Sequence, residues 1–119
     1  MIKVEIKPMS VNRAWKGRRF KTEEYKQYEK SSLFLLPRKC VIPEGNLQLY
    51  LLFGVSNRGF DNDNSIKQFT DILQKKYHFN DNRIFRTIAD KEIVKKGEEY
   101  IKFEITSMKE LKYYKPPKN

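Results

Sequence analysis

Two short polar segments of the chain carry acidic residues that could hold a metal ion. The first segment contains Asp61, Asn62, Asp63 and Asn64. In an extended segment, residues two apart point to the same side, so Asp61 and Asp63 can approach one cation. Lys67 follows Asp63 by four residues, which places its ammonium on the same side of a helix that starts here. Asp81 lies in the second segment, 79–82, and reaches the pair if the chain reverses between them.

Carboxylates in this arrangement are ligands that suit Mg²⁺ or Mn²⁺, which keep bound waters and also take substrate phosphates. Such an ion can activate a water, orient a phosphodiester and stabilise the leaving oxygen. The acidic residues therefore indicate phosphoryl-transfer chemistry.

Two other interpretations apply to the same residues. In the first, Asp63 or Asn64 is a helix N-cap, and Asp61 and Asp81 are ordinary turn residues. In the second, the segment is an EF-hand calcium loop, but Ile66 stands where that loop needs glycine and Ile72 where it needs glutamate. The calcium loop is excluded, and the capping interpretation remains open.

The elements that position these residues follow from the apolar pattern. Alternation at Ile2, Val4 and Ile6 predicts a first strand that Pro8 ends. Thr22 predicts the N-cap of a helix that extends to about Leu36, before Pro37. The segment Asn46–Val55 predicts a strand at the centre of a sheet, since its end is apolar on both faces.

The second half of the chain predicts one more helix and two more strands. The helix has an apolar stripe formed by Ile66, Phe69, Leu73 and Tyr77. The segments Arg83–Val94 and Tyr100–Thr106 predict a β-hairpin across Lys95–Glu98. The predicted fold is α+β, a mixed sheet with two helices packed on it, in the order strand, helix, strand, helix, strand, strand.

Composition limits the size of the fold and its class of partner. The 119 residues fit one domain, 1–119, of which 113–119 are expected to form a frayed tail. An apolar content of 39% allows a packed core and argues against a disordered basic tail. The net charge of +10 indicates a polyanionic partner.

The positive charge is concentrated near the N-terminus, in a basic arm formed by residues 12–21. Its cations are Arg13, Lys16, Arg18, Arg19 and Lys21, and it contains no acidic residue. These cations can neutralise phosphates, and Trp15 or Phe20 can stack on an exposed base. The alternative is a solvated loop with one aromatic side chain anchored in the core.

The sequence contains no apolar run long enough to span a membrane, and its first residues lack the pattern of a signal peptide. Cys40 is the one cysteine, which excludes an intramolecular disulfide and a cysteine-based metal site. We therefore expect a cytoplasmic protein with no membrane partner and no organic small-molecule cofactor.

The two acidic segments together resemble the signature of RusA-type Holliday junction resolvases. In that family Asp-x-Asp-Asn-x-x-Lys precedes a helix and Asp-Asp-x-Gln-Val/Ile follows it; here the matching runs are 61–67 and 79–84. The segment Pro8–Asn12, with the basic residues after it, is similar to the family's Pro-x-Ser-x-Asn element. Asn80 and Arg83 depart from the family pattern, where Asp and Gln are usual.

The resemblance implies a Mg²⁺- or Mn²⁺-dependent homodimer that resolves four-way DNA junctions by paired nicking, encoded by a bacterium or a phage. It implies that Asp61, Asp63 and Asp81 bind the metal, that Lys67 assists at the scissile phosphate, and that Asn12 joins the DNA-binding arm. The alternative is a non-catalytic DNA-binding protein with the same fold. An RNA-binding module is a weaker alternative, because the sequence has neither an RNP-like nor a Gly-x-x-Gly element.

Overall fold

A computed structural model describes residues 1–9, 15–16 and 20–109, of which 15, 16, 20 and 21 are described as backbone only. The elements are strands β1 (Ile2–Val4), β2 (Trp15–Lys16) and β3 (Phe20–Lys21), helix α1 (Glu23–Leu35), strand β4 (Leu47–Val55), helix α2 (Asn62–Tyr77), and strands β5 (Ile84–Ile93) and β6 (Tyr100–Ser107). Apart from the short β2 and β3, this is the predicted order. The predicted α+β class, a mixed sheet with two helices, is confirmed.

The main sheet has the strand order β1-β6-β4-β5. Strand β4 is central, as its apolar sequence predicts, and pairs parallel with β5 and antiparallel with β6. Leu51 of β4 lies between Ala89 of β5 and Phe103 of β6. Strands β2 and β3 form a separate antiparallel pair.

The predicted hairpin between the last two strands is wrong in its pairing. The turn exists: Glu98 N–H donates to the Lys95 carbonyl at 2.9 Å, and Gly97 has a φ of +94°. However, β5 and β6 lie on opposite sides of β4. The helical crossover through α2 makes β5 parallel to β4, and the connection after β5 passes the end of β4, where Val94 N–H donates to the Val55 carbonyl at 2.8 Å.

The helix ends follow the sequence closely. Thr22 caps α1, and its side chain accepts a hydrogen bond from Tyr25 N–H at 3.1 Å. Helix α1 ends at Leu35, two residues before Pro37. Helix α2 ends at Tyr77, and the next residue, His78, caps it with a left-handed backbone of φ 55°. No helix in the described part of the chain is long and apolar enough to cross a membrane.

The core lies between one face of the main sheet and the two helices. Phe69 and Leu73 of α2 are fully buried there, and the Phe69 ring meets Phe103 of β6 edge-on at a centroid distance of 5.9 Å. Tyr28 of α1 is also in the core, yet its hydroxyl is buried without a hydrogen-bond partner among the described residues. The acidic segments lie at the rim of this core, before and after α2.

Candidate metal and nucleic-acid site

Asp61 and Asp63 lie together at the start of α2. Asp61 is the N-cap: its Oδ1 accepts a hydrogen bond from Asp63 N–H at 3.0 Å. This satisfies one of the free amides of the first helical turn and leaves the second carboxylate oxygen of Asp61 available. Both carboxylates are exposed. The capping interpretation is therefore correct for this end of the helix, although the cap is Asp61 and not Asp63 or Asn64.

The residue between the two acids has a buried side-chain oxygen. Asn62, between the two acids, has a buried Oδ1 that no donor reaches among the described residues. The two exposed carboxylates are hard donors, which Mg²⁺ and Mn²⁺ prefer. Mg²⁺ commonly binds proteins through one or two carboxylates together with waters and substrate phosphates, so this donor set fits such an ion.

Lys67 lies one turn further along α2, in a cleft of about 280 Å³ between α2 and β5. The cleft is lined by Lys67, Thr70, Asp71, Asp81, Ile84 and Thr87. Because Asp63, Lys67 and Asp71 follow one another at intervals of four residues, they share one side of the helix. Asp81 thus lines the same cleft as Lys67.

Asp81 is held near the second half of α2. Its backbone N–H donates to Gln74 Oε1 at 3.0 Å, and Gln74 Nε2 donates to Asp71 Oδ1 at 3.3 Å. Gln74 therefore connects the Asp81 segment with Asp71. Asp71 also affects Tyr25 of α1. Burial, together with the carboxylates of Glu29 and Asp71, raises the pKa of Tyr25 to about 12.

The structure does not bring Asp81 to Asp61 and Asp63. Asp61 follows the carboxyl end of β4, whereas Asp81 precedes the amino end of the parallel strand β5, so the 16 residues of α2 separate them by up to about 24 Å. Among the described residues, no group of three Asp, Glu, His or Cys is placed to hold a metal ion. Lys67 lies between the acidic pair and Asp81.

Comparison with protein-family models gives no match, and a search of curated proteins finds no relative. The likeness to RusA-type resolvases rests on the residues of this chain alone.

The predicted DNA-binding residues fall on the arm between β1 and α1. Asn12, Arg13, Arg18 and Arg19 lie outside the described residues, while Trp15, Lys16 and Lys21 belong to β2 and β3. The register pairs Trp15 with Lys21 and Lys16 with Phe20, so residues 17–19 connect the two strands. The sequence did not predict this hairpin, because each of its strands has only two residues.

A larger groove, of about 530 Å³, lies where the chain leaves β4, between α1 and the segment after β1. Its floor includes Val55 and Phe60, and its rim includes Lys7 and Glu99. Hydrogen bonds to the Glu99 carboxylate, from its own amide, from Gly97 N–H and from the Ser56 hydroxyl, keep the pKa of Glu99 below its ordinary value. Sequence reasoning missed this groove, since its lining comes from distant parts of the chain.

Proposed function

We propose that this protein is a divalent-metal-dependent endonuclease that binds branched DNA and nicks four-way junctions as a homodimer. The observation that supports it is the exposed side of α2. There Asp63, Lys67 and Asp71 lie at four-residue intervals, with Asp61 at one end and Asp81 beside Lys67. A row of carboxylates that includes one ammonium is suited to a cation and a phosphate bound next to each other. We propose a cytoplasmic location, as the sequence suggests, in a bacterium or a phage-infected cell.

Each residue has a separate task in this proposal. Asp61 and Asp63 would hold Mg²⁺ or Mn²⁺, while the capping hydrogen bond fixes the orientation of Asp61. When bound, the ion supplies an activated water and stabilises charge on the leaving oxygen. Lys67 is the one cation among the described residues that line the cleft, so a phosphate there would meet its ammonium. Asp71 and Asp81 repel phosphates from the rest of the cleft.

The arm supplies affinity in this proposal. Residues 12–21 carry five cations and no acid, and residues 110–119 carry three cations and one acid. This leaves +3 of the net +10 for the rest of the chain. Half of the net charge therefore belongs to the arm. Phosphate contacts from such a segment give strong, salt-dependent binding that does not depend on DNA sequence.

A second candidate is a non-catalytic DNA-binding protein, and the two departures from the RusA pattern favour it. Asn80 caps the short 3-10 turn Asp81–Arg83 through a hydrogen bond from Asn82 N–H at 2.9 Å. The Arg83 side chain donates to the carbonyls of Gly45, at 3.1 Å, and Pro43. Both residues thus have structural roles, and among the described residues no three acidic side chains are grouped to hold a metal ion.

Incubation with synthetic four-way, three-way and linear DNA, in Mg²⁺, Mn²⁺ or EDTA, separates the two candidates. The endonuclease cleaves opposed strands of the four-way junction when metal is present and leaves them intact in EDTA. A non-catalytic binder shifts the junction on a gel and cuts no strand with either metal.

The variant Asp63→Asn tests the metal pair directly. It should abolish cleavage and keep or strengthen junction binding, because it removes one ligand charge and one repulsion of phosphates. Glu5→Gln makes the same charge change on an exposed residue next to β1 and should cleave as the unmodified protein does. Equal loss of activity in both variants, or loss of binding by a folded Asp63→Asn protein, contradicts the assignment.

A further inference from the structure

A lysine from strand β5 contacts the entry loop, residues 57–60, which leads into the acidic pair Asp61 and Asp63. The Lys91 ammonium donates hydrogen bonds to the carbonyls of Arg58, at 2.9 Å, and Phe60, at 3.2 Å. Phe60 immediately precedes Asp61, the N-cap of α2. The ammonium therefore holds the backbone of the entry loop at the point where the chain enters the helix.

The place of Lys91 in the sheet accounts for this contact. Lys91 is paired with Phe53 of the parallel strand β4, so the two side chains lie on the same face of the sheet. That face is covered by the helices, since Phe53 is fully buried in the core. A long side chain on this face can extend its charged end past the edge of the core, where the entry loop begins.

The other contacts of the entry loop are mostly internal. Asn57 accepts hydrogen bonds from Gly59 N–H, at 2.9 Å to its side-chain oxygen, and from Phe60 N–H, at 3.1 Å to its carbonyl. The Phe60 ring packs on Phe53 at a centroid distance of 5.8 Å. Within the described residues, only Lys91 joins the backbone of this loop to the sheet by hydrogen bonds.

We propose that Lys91 is a positioning residue for the acidic pair: it fixes the entry loop and thereby the orientation in which Asp61 begins α2. The inference rests on the proposed function for what the pair binds. A loop that is already ordered loses no further conformational entropy when a metal ion binds. Ordering one additional backbone residue on binding would weaken the affinity by about 5–30-fold.

The charge of Lys91, acting alone, would have the opposite effect. An ammonium near the acidic pair repels a divalent cation, so removing it from a loop that stays ordered would strengthen metal binding. Removing it from a loop that depends on it for order weakens metal binding. The direction of the change in affinity therefore separates positioning from simple electrostatics.

Metal binding by a Lys91→Met variant tests the inference. The change removes the ammonium and keeps a long apolar side chain. It should weaken Mn²⁺ binding at least ~5-fold, measured by electron paramagnetic resonance of the free ion. Lys91→Arg, which can still donate to both carbonyls, should restore the affinity. Lys95→Met removes the same charge from the exposed turn after β5 and should bind Mn²⁺ as the unmodified protein does.

Three results of this titration would overturn the inference. They are unchanged Mn²⁺ affinity in Lys91→Met, stronger binding by that variant, and an equal loss of affinity in Lys95→Met. The first would mean that the entry loop is ordered without the lysine. The other two would mean that charge alone determines the affinity.

Amide hydrogen exchange tests the hold on the loop without any metal. The N–H groups of Phe60 and Asp63 both donate hydrogen bonds at the entry to α2. In Lys91→Met they should exchange several times faster, while the amide of Ile72, in the middle of α2, keeps its rate. Equal acceleration at all three amides would show a general loss of stability and would count against a positioning role.

The inference and the proposed function can fail separately. If the unmodified protein binds no Mn²⁺ while Lys91→Met accelerates exchange in the entry loop, the metal site is refuted and the hold of Lys91 on the acidic pair stands. If Mn²⁺ binds equally to the unmodified protein and to Lys91→Met, the metal site stands and the positioning role is refuted.

Discussion

Asp61 illustrates how one carboxylate can serve two functions at the start of a helix. Its Oδ1 is occupied by the capping hydrogen bond from Asp63 N–H, and its other oxygen is available to a cation. The cap and the proposed metal contact therefore predict different effects for different substitutions of Asp61.

We expect Asp61→Asn to keep the stability of the protein and to lose metal-dependent cleavage. Asparagine caps a helix about as well as aspartate but has no ligand charge. Asp61→Ala should lose cleavage and also about 1 kcal/mol of stability. Urea unfolding and junction cleavage measure the two effects independently. If Asp61→Asn cleaves at the unmodified rate, Asp61 is a cap and nothing more.

Two tyrosines differ in whether the hydroxyl has a hydrogen-bond partner. The Tyr28 hydroxyl is buried without a described partner, whereas the Tyr77 hydroxyl donates to the Pro37 carbonyl at 2.8 Å. Tyr28→Phe should leave stability unchanged or raise it by up to about 1 kcal/mol, because an unpaired buried hydroxyl is removed. Tyr77→Phe should lower it by about 1 kcal/mol. Thermal unfolding of both variants measures the difference, and a destabilised Tyr28→Phe would show a partner for that hydroxyl.

At the scale of elements, β4 and β6 meet closely at one position. Gly54 of β4 pairs with Tyr100 of β6, and a Cβ on Gly54 would overlap the Tyr100 ring. The ring has little freedom to move, since its hydroxyl donates a hydrogen bond to the Glu92 carboxylate. The close approach of these two strands therefore depends on glycine.

We expect Gly54→Ala to destabilise the protein by about 1–3 kcal/mol, the usual effect of forcing extra volume into a packed site. Gly59→Ala is the control, because the nearest neighbour of its Cβ lies at 3.4 Å on an exposed loop. Chemical denaturation compares the two. A Gly54→Ala protein as stable as Gly59→Ala would mean that the Tyr100 ring rotates away at no cost.

The helices could be predicted from the sequence because their signals are local. Thr22 and Pro37 bracket α1 within a few residues, and the apolar stripe of α2 repeats along one segment. The pairing of β5 with β6 could not be predicted, since the turn at 95–98 is compatible with a hairpin and also with a connection past β4. The sequence did indicate that β4 is central, because it is apolar on both faces, and a central strand has another strand paired at each edge.

The candidate site also has a local part that the sequence predicts and a non-local part that it does not. Asp61, Asp63 and Lys67 lie within seven residues, so their proximity follows from local geometry and was predicted. The position of Asp81 depends on the direction of α2 and on the parallel pairing of β5, which are not local. Asp71 was missed as a cleft residue, although its spacing of four from Lys67 was visible in the sequence.

At the scale of the whole molecule, charge is unevenly divided between the folded body and the arm. Residues 12–21 carry +5 of the net +10, and within them the strands β2 and β3 pair antiparallel. Arg18 and Arg19 lie between these strands in the sequence, outside the described residues. If the arm binds DNA, these two arginines make phosphate contacts that the rest of the chain does not replace.

We expect the double variant Arg18→Ala, Arg19→Ala to bind a four-way junction more weakly and with a shallower dependence on salt. Each lost phosphate contact should reduce the slope of log K against log salt concentration by up to ~0.9. The control is Lys95→Ala, Lys96→Ala, which removes the same charge from the exposed turn after β5. Fluorescence anisotropy with labelled junction over a salt series measures both slopes. An equal change in both variants would mean that net charge, and not the arm, determines binding, whereas an unchanged slope in the arginine variant would make the arm a solvated loop.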